Sequence, residues 1–474
     1  MTAPATDRLL LANAMLGQFI TGFASRTFIV ALPTIAAALQ ADILAIAWSL
    51  IAYEVAGISL SVVFGRMGDI RGRSAIYGLG FAVMAASALL CGLAENALAL
   101  IVFRLIQGIG AAMVASATRV LAMEAMPPGA EGRANGFMTM SYHGGLLLGP
   151  PLGGFLIDLL TWRWVFFLLV PVGAAGVVLT ALRARGGAAS PGRRASIDYV
   201  GAGLLVALSI ALTLLLDRRS AEVLGGGARS LLALAFAGVL VAFVVHQGRA
   251  VEPIVNLTLF RIRMFSASVV SLLVISTATA AIGFLLPFYL QDVLHLSPSA
   301  MGLVFLSAPV FTIALAPVSG RLSDRVGPRI PTSVGVLTTM GCFAVGLFLQ
   351  VDSHWMLPTL LMVLTGIGTG FFNTPNQAAI IGSVPRAYRG FATGMVQMVF
   401  GTSSLLGISL TGALLTVLFH HYTGLEGTTP SAADPGAFVA ATRAIYSVCL
   451  LLVGVAFVTS LLRGGTKIEA ARLP

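Results

Sequence analysis

Along this chain, short polar clusters separate long apolar runs. The runs lie at about 9–31, 43–64, 74–93, 98–122, 134–157, 164–182, 199–216, 230–246, 265–290, 300–318, 330–349, 355–380, 391–418 and 439–462. A helix needs roughly 20 predominantly apolar residues to cross a bilayer, and the runs are close to that length. Inside a membrane the backbone must satisfy its own polar groups, so such runs must be helices. The pattern predicts an all-α integral membrane protein of about fourteen spans. An even count leaves both termini on one side. Arg66, Arg71, Arg73, Arg133, Arg183, Arg185, Arg193, Arg194, Arg249, Arg261, Arg263, Arg321, Arg325, Arg329, Arg386, Arg389, Arg463, Lys467 and Arg472 fall in gaps on that side. The opposite gaps hold Asp42, Glu95, Asp158, Asp292, Asp352, Glu426 and Asp434; the exception is Arg218 and Arg219, beside Asp217 and Glu222. The excess of basic residues predicts a multi-pass protein of the cytoplasmic (inner) membrane with both termini in the cytoplasm.

One polar gap occurs twice. Residues 65–74 read GRMGDIRGRS and residues 320–329 read GRLSDRVGPR. Gly65, Arg66, Asp69 and Gly72 align with Gly320, Arg321, Asp324 and Gly327, and Arg73 falls opposite Pro328–Arg329. A repeat of this kind implies two related halves. The glycines permit tight turns and close helix approach. Each Asp can accept hydrogen bonds from a helix N-terminus or pair with a nearby Arg, and so latch one conformation of two packed helices. The plainer alternative is a solvated basic turn that only sets topology. The copies are about 255 residues apart, more than six spans require. Two extra spans at about 199–246 account for the excess. The predicted division is a six-helix bundle over 1–182, basic linkers and two inserted helices over 183–263, and a second six-helix bundle over 264–474.

Composition narrows the function. The chain has 474 residues, 57% hydrophobic and 10% charged, with mean hydropathy +0.95. The formal net charge of +10 would suggest nucleic acid in a soluble protein. Here the arginines sit in short loops, where they orient the chain and touch anionic lipid, and no nucleic-acid partner is expected. Cys91, Cys342 and Cys449 lie far apart in apolar runs, which argues against a disulfide framework or a metal site. No phosphate loop, metal spacing or nucleophile–base pair is visible, so neither an enzyme nor a cofactor is expected.

At this point the chain resembles the major facilitator superfamily, in particular its fourteen-span drug:proton antiporter branch. The repeated turn is similar to the family's loop between spans 2 and 3. LIVFRLIQGIGAA at 100–112 resembles the fourth-span motif, with Arg104, Gln107, Gly108 and Gly110 in place. GLLLGPPLGG at 145–154 resembles the span-5 antiporter motif, and WRWVFFLLVPVG at 162–173, with Ile197, Asp198 and Gly201, resembles the fourteen-span branch. The resemblance implies inverted repeats, a central cavity lined by spans 1, 2, 4, 5, 9, 10, 12 and 13, and alternating access. It also implies a part in proton coupling for Arg104, with a structural network as the alternative. Cation exporters of the family carry an Asp near the end of span 1, where this chain has Ala24 and Ser25 and then Arg26.

Candidate site residues follow from buried polarity, which is costly in a bilayer and usually functional. Glu54 is placed deep in span 2, where desolvation would let it load and release a proton near physiological pH; a permanent ion pair is the alternative. Arg26 is expected to pair with Glu54, to bind an anionic substrate group, or to bridge backbone carbonyls. Arg119 is expected to snorkel to the cytoplasmic face rather than enter the cavity. Tyr53 and His143 are candidate cavity residues, His143 being more ordinarily a packing residue. Phe284 and Phe288 offer an apolar pocket or an interfacial belt. Asn373, Asn376, Gln377 and Gln397 offer substrate hydrogen bonds or interhelical ones. On span 5, Gly144, Gly145, Gly149, Gly153 and Gly154 form a small-residue face, bent by Pro150 and Pro151.

The expected function is proton-coupled export of small amphipathic organic molecules by a protein that works as a monomer, with protons, substrate and membrane lipid as its partners. A positive cavity around Arg26 would instead suit organic anions or lipid-like acids. A membrane sensor or scaffold that transports nothing is the third possibility, opposed by the two intact loop motifs.

Overall fold

The computed structural model describes residues 7–41, 43–185, 198–216, 218–250, 253–296, 298–423 and 434–461. Among these residues the chain is all helical. Helices run through every predicted apolar stretch, as the hydropathy demanded. They are α1 (Arg8–Ala38), α2 (Ile43–Arg71), α3 (Arg73–Gly92), α4 (Ala97–Glu124), α5 (Glu131–Leu159), the single turn α6 (Trp164–Phe167) and α7 (Leu169–Arg185). There follow α8 (Tyr199–Leu216), α9 (Arg218–Arg249), α10 (Arg263–Phe288), α11 (Pro298–Val326), α12 (Arg329–Gly346), α13 (Met356–Gly382), α14 (Arg389–Thr423) and α15 (Pro435–Leu461). Ten helical segments among the described residues are long and apolar enough to cross a membrane. Most of the basic 183–197 linker lies outside the described residues.

Local chemistry sets the ends. Asp7 Oδ1 accepts the Leu10 N–H (3.0 Å) to open α1, and Asn96 Oδ1 accepts the Ala99 N–H (2.9 Å) to open α4, each satisfying an orphan donor of a first turn. Gly72 and Gly327, the last glycines of the repeated turns, have φ of 101° and 83°, a region that side-chain-bearing residues avoid. The WRW run marks the break before α7. Trp162 is buried edge-on against Phe166 (6.2 Å), and Arg163 lies over the Trp162 ring (4.5 Å).

Packing divides by chain half. In the first, α1 packs on α5, α2 on α4, and α3 on α4 and α7; in the second, α10 packs on α14, α11 on α13, and α12 on α13 and α15. Two seams join the sets, α2 against α14 and α5 against α11. The helices α8 and α9 form a hairpin whose first arm touches α2 and α14. Its second arm shows its apolar side chains outward, with Leu231, Leu234 and Val241 exposed. Cys91, Cys342 and Cys449 are free and buried.

Candidate functional site

The two repeated turns sit at the two seams and make equivalent contacts. Asp69 accepts the N–H groups of Gly390 (2.9 Å) and Phe391 (3.1 Å), at the start of α14. Asp324 accepts those of Gly132 (2.6 Å) and Arg133 (2.9 Å), at the start of α5. A carboxylate at a helix N-terminus meets unpaired donors and the positive end of the dipole. The glycines make the approach possible. A methyl added to Gly65 would strike the Gly390 carbonyl, and one added to Gly320 would strike the Gly132 carbonyl. Sequence reasoning missed these partner helices, although a signal was present: GRANG at 132–136 and GFATG at 390–394 share a Gly-x-Ala-x-Gly spacing. The second glycines continue the seams, Gly136 against Ala316 and Pro317, and Gly394 against Ser61 and Val62.

The latches differ in strength. The Asp69 side chain is 0% exposed and also pairs with Arg73 (2.7 Å), which reaches on to Glu124 (2.7 Å) and the Arg386 carbonyl (2.6 Å). Arg66 adds the Ala387 carbonyl (3.4 Å) and the Tyr388 ring (4.7 Å). Asp324 is exposed.

Beyond the latches, between the helix sets, lies a cavity of about 980 Å³. Its wall takes Gln18 and Thr21 from α1, Leu50 to Ile58 from α2, Ala111 to Arg119 from α4, and Thr139, Tyr142 and His143 from α5. From the second half come Phe284 on α10, Asn373 and Gln377 on α13, and residues of α14 from Gln397 to Ala413. No described residue of α11 (the predicted span 10) lines it, because α11 is packed between α5 and α13. Within it the two helix sets touch where Gly401 meets Ile58 and where Thr374 Oγ1 donates to Thr139 Oγ1 (3.2 Å).

The wall gathers Glu54, Tyr53, His143, Phe284, Asn373, Gln377 and Gln397 from the predicted set. Three members stand elsewhere. Asn376 is fully buried and donates Nδ2–H to the Ser268 carbonyl on α10 (3.1 Å), so it joins helices instead of facing substrate. Phe288 packs against Phe284 (5.7 Å) and the core, one turn behind the wall. Arg104 is sealed off, as described below. Glu54 is exposed toward the cavity it lines instead of being enclosed by apolar side chains. Arg119 corrects the snorkelling expectation: it is 4% exposed, lines the cavity floor and directs Nη1 at Asn135 Oδ1 (3.5 Å). His143 Nδ1 lies 3.0 Å from the Thr139 carbonyl, so that nitrogen carries the ring proton. The side chains of Arg26 and Pro150 lie outside the described residues.

Arg104 is clamped between two rings, Phe28 at 4.3 Å and Tyr53 at 4.2 Å, and donates Nη1–H to Gln107 Oε1 (2.7 Å). Its Nε and Nη2 have no hydrogen-bond partner among the described residues. A desolvated cation over an aromatic face gains about 2 kcal/mol, against several for burying an ion. The clamp is therefore expensive, and its wall-side member, Tyr53, is the neighbour of Glu54.

On α5, Gly145, Gly149 and Gly153 form one stripe against Phe19, Phe23 and Thr27 of α1, where an added methyl at Gly149 or Gly153 would lie 2.9 or 2.6 Å from Thr27 atoms. Gly144 is at the margin (4.0 Å) and Gly154 meets nothing within 4 Å. The small-residue face is thus three glycines at helical spacing, with Gly154 off it.

Arg229 was not anticipated. It stands on α9 and lines the cavity. The signal was an arginine at the start of an apolar run, in a gap opposite the basic ones.

Comparison with known proteins agrees with this architecture. Residues 14–279 and 264–471 match the Major Facilitator Superfamily. The chain is 26% identical over 400 residues to the riboflavin transporter RibZ of Clostridioides difficile (strain 630), covering 84% of this chain and 86% of that protein. It is 31% identical over 389 residues to the multidrug resistance protein B homolog of Mycobacterium tuberculosis (strain ATCC 25618 / H37Rv), covering 79% and 70%. The crystal structure of the human organic anion transporter MFSD10 (TETRAN) shares the fold, with a TM-score of 0.68 at 14% identity over 96% of this chain and 100% of that one. The protein is a multi-pass membrane transporter and not an enzyme. From the matched residues and the paired seams, the chain belongs to the major facilitator superfamily.

Proposed function

We propose that the protein is a proton-coupled exporter of small amphipathic organic compounds, working by alternating access as a fourteen-span monomer of the inner membrane. The observation that carries this reading is Glu54 on the wall of a cavity between helix sets that both Asp latches hold together at the turn side. With the basic turns in the cytoplasm, that cavity opens outward, and Glu54 is the carboxylate that protons from outside reach. Protonation then favours one state and substrate the other. Release of the latches lets the two six-helix bundles rock, and Arg104 acts through Tyr53 as a positioning residue for Glu54. The relative named for multidrug resistance supports export of apolar and amphipathic compounds; RibZ, named for riboflavin, supports a cavity that accepts planar aromatic solutes.

A second reading, selection of organic anions, is favoured by Arg119 on the cavity floor. Uptake of a panel of cationic, neutral and anionic compounds into proteoliposomes, with and without an imposed pH gradient, tests both. Gradient-driven movement of cationic or neutral compounds supports the first reading. Movement of anions alone replaces it with the second, and movement indifferent to the gradient removes proton coupling.

A further inference from the structure

We infer that the α8–α9 hairpin builds part of the substrate path, with Arg229 holding an anionic group of the substrate at the cavity wall. The hairpin stands beside the α2–α14 seam, touching both helices through α8. Only 6% of the apolar window in α9 is buried, as suits a helix facing lipid. Arg229 is nonetheless part of the cavity wall. Its Nη2 donates to the Leu215 carbonyl (3.2 Å) in the last turn of α8, where carbonyls lack helical partners and carry partial negative charge. That bond fixes the guanidinium against α8 while the planar fork keeps further donors for a ligand.

Helix rise gives the depths. Arg119 lies five residues from the turn-side end of α4, about 8 Å along the axis. Glu54 lies seventeen residues from the end of α2, about 25 Å. His246 bonds Asp198 at the start of α8, where Tyr199 meets Arg71 at the end of α2, so His246 marks the same level on α9; Arg229 lies seventeen residues from it, about 25 Å. The α14 lining continues further, to Ala413, twenty-four residues from the start of that helix and about 36 Å along it. Arg229 and Glu54 therefore stand at about one level of the path, and Arg119 lies deeper toward the turns. The ligand class is an amphipathic molecule with an apolar body, for Phe284, Phe400 and Ile408, and a carboxylate, sulfonate or phosphate that accepts charge-assisted hydrogen bonds. This assignment rests on the cavity being the substrate path, and it does not need protons to drive transport.

The same chemistry is present on an anionic lipid headgroup, so the test separates the two sources. Calorimetric binding of 2-naphthylacetate and of its uncharged amide is measured for the full chain in nanodiscs of phosphatidylcholine, with and without phosphatidylglycerol. The wild type binds the acid more tightly than the amide in both. Arg229→Gln weakens the acid about tenfold, the loss of a charge-assisted bond, and moves the amide less than twofold. Arg229→Lys, which can still reach the Leu215 carbonyl, recovers part of the loss. Equal weakening of acid and amide makes Arg229 a hairpin staple and overturns the assignment. Dependence on phosphatidylglycerol assigns Arg229 to lipid and overturns it too, as does a wild type with no preference for the acid. Unchanged proton flux in a Glu54→Gln protein would defeat the exporter reading and leave this one standing.

Discussion

The Asp69 carboxylate and the Gly390 amide meet at 2.9 Å across the seam between two helix sets, and Asp324 with Gly132 repeats the relationship at 2.6 Å on the other seam. Each hydrogen bond to a charged group contributes about 1.5–3 kcal/mol, and a shift of 1.4 kcal/mol changes a two-state ratio about tenfold. The enclosed Asp69 latch is thus strong enough to bias a two-state equilibrium of the helix sets.

Asp69→Asn is expected to open the turn side more than Asp324→Asn, because Asp69 is enclosed and also held by Arg73, while Asp324 is exposed and screened. Spin labels at Ala75 and Ile330, both exposed, report the distance. We expect the long-distance population to rise about tenfold relative to the short one in Asp69→Asn, and by less in Asp324→Asn. Equal effects would remove the asymmetry.

Much of this was legible in the sequence for a physical reason. Apolar runs of span length can only be helices in a bilayer, and the turn's Gly and Asp advertise a close approach and a cap. The partner of each cap was not legible, because Gly132 and Gly390 are distant in the chain and act through backbone N–H groups that any residue has. Asn376 and Gln377 show the same limit. Adjacent polar residues on one helix point about 100° apart, so one reaches Ser268 on a neighbouring helix and the other the cavity. Arg119 was misplaced because snorkelling depends on what covers a helix, and α4 is covered.

Gly153→Ala and Gly154→Ala should separate cleanly. The first puts a methyl 2.6 Å from Thr27, while the second meets nothing within 4 Å. Thermal unfolding in detergent should show a loss of about 1–3 kcal/mol for Gly153→Ala, the usual cost of overpacking, and little change for Gly154→Ala. Similar losses at both positions would show that the stripe is not the contact described.

Arg104→Lys is expected to destabilise the protein despite keeping the charge. Lysine cannot lie flat between Phe28 and Tyr53 as the guanidinium does at 4.3 and 4.2 Å. Thermal unfolding should reveal a loss of about 1 kcal/mol or more. An unchanged melting temperature would mean that the stack contributes nothing.

At the turn-side end of the hairpin, Asp198 accepts from Gly201 N–H (2.7 Å), His246 Nε2 (2.8 Å) and Gln247 Nε2 (2.9 Å), and Gln247 Oε1 accepts the Val255 N–H (2.9 Å). Burial alone would raise the Asp198 pKa, but these hydrogen bonds outweigh it and hold the carboxyl below its ordinary 3.8. A depressed carboxylate stabilises the fold above its unfolded pKa and loses that stabilisation as pH falls through the folded value. Hydrogen exchange at the Val255 amide should therefore stay protected down through pH 4 and fail only below it. In Asp198→Asn it should be faster above pH 4, and an exchange rate matching wild type there would contradict the clasp.

The central claim, that Glu54 couples protons to substrate, is met most directly by proton movement in proteoliposomes when substrate is added, with wild type and Glu54→Gln side by side. The account predicts substrate-triggered flux in the wild type and its loss in Glu54→Gln, with substrate binding retained. Flux of equal size and equal pH dependence in both proteins would contradict it.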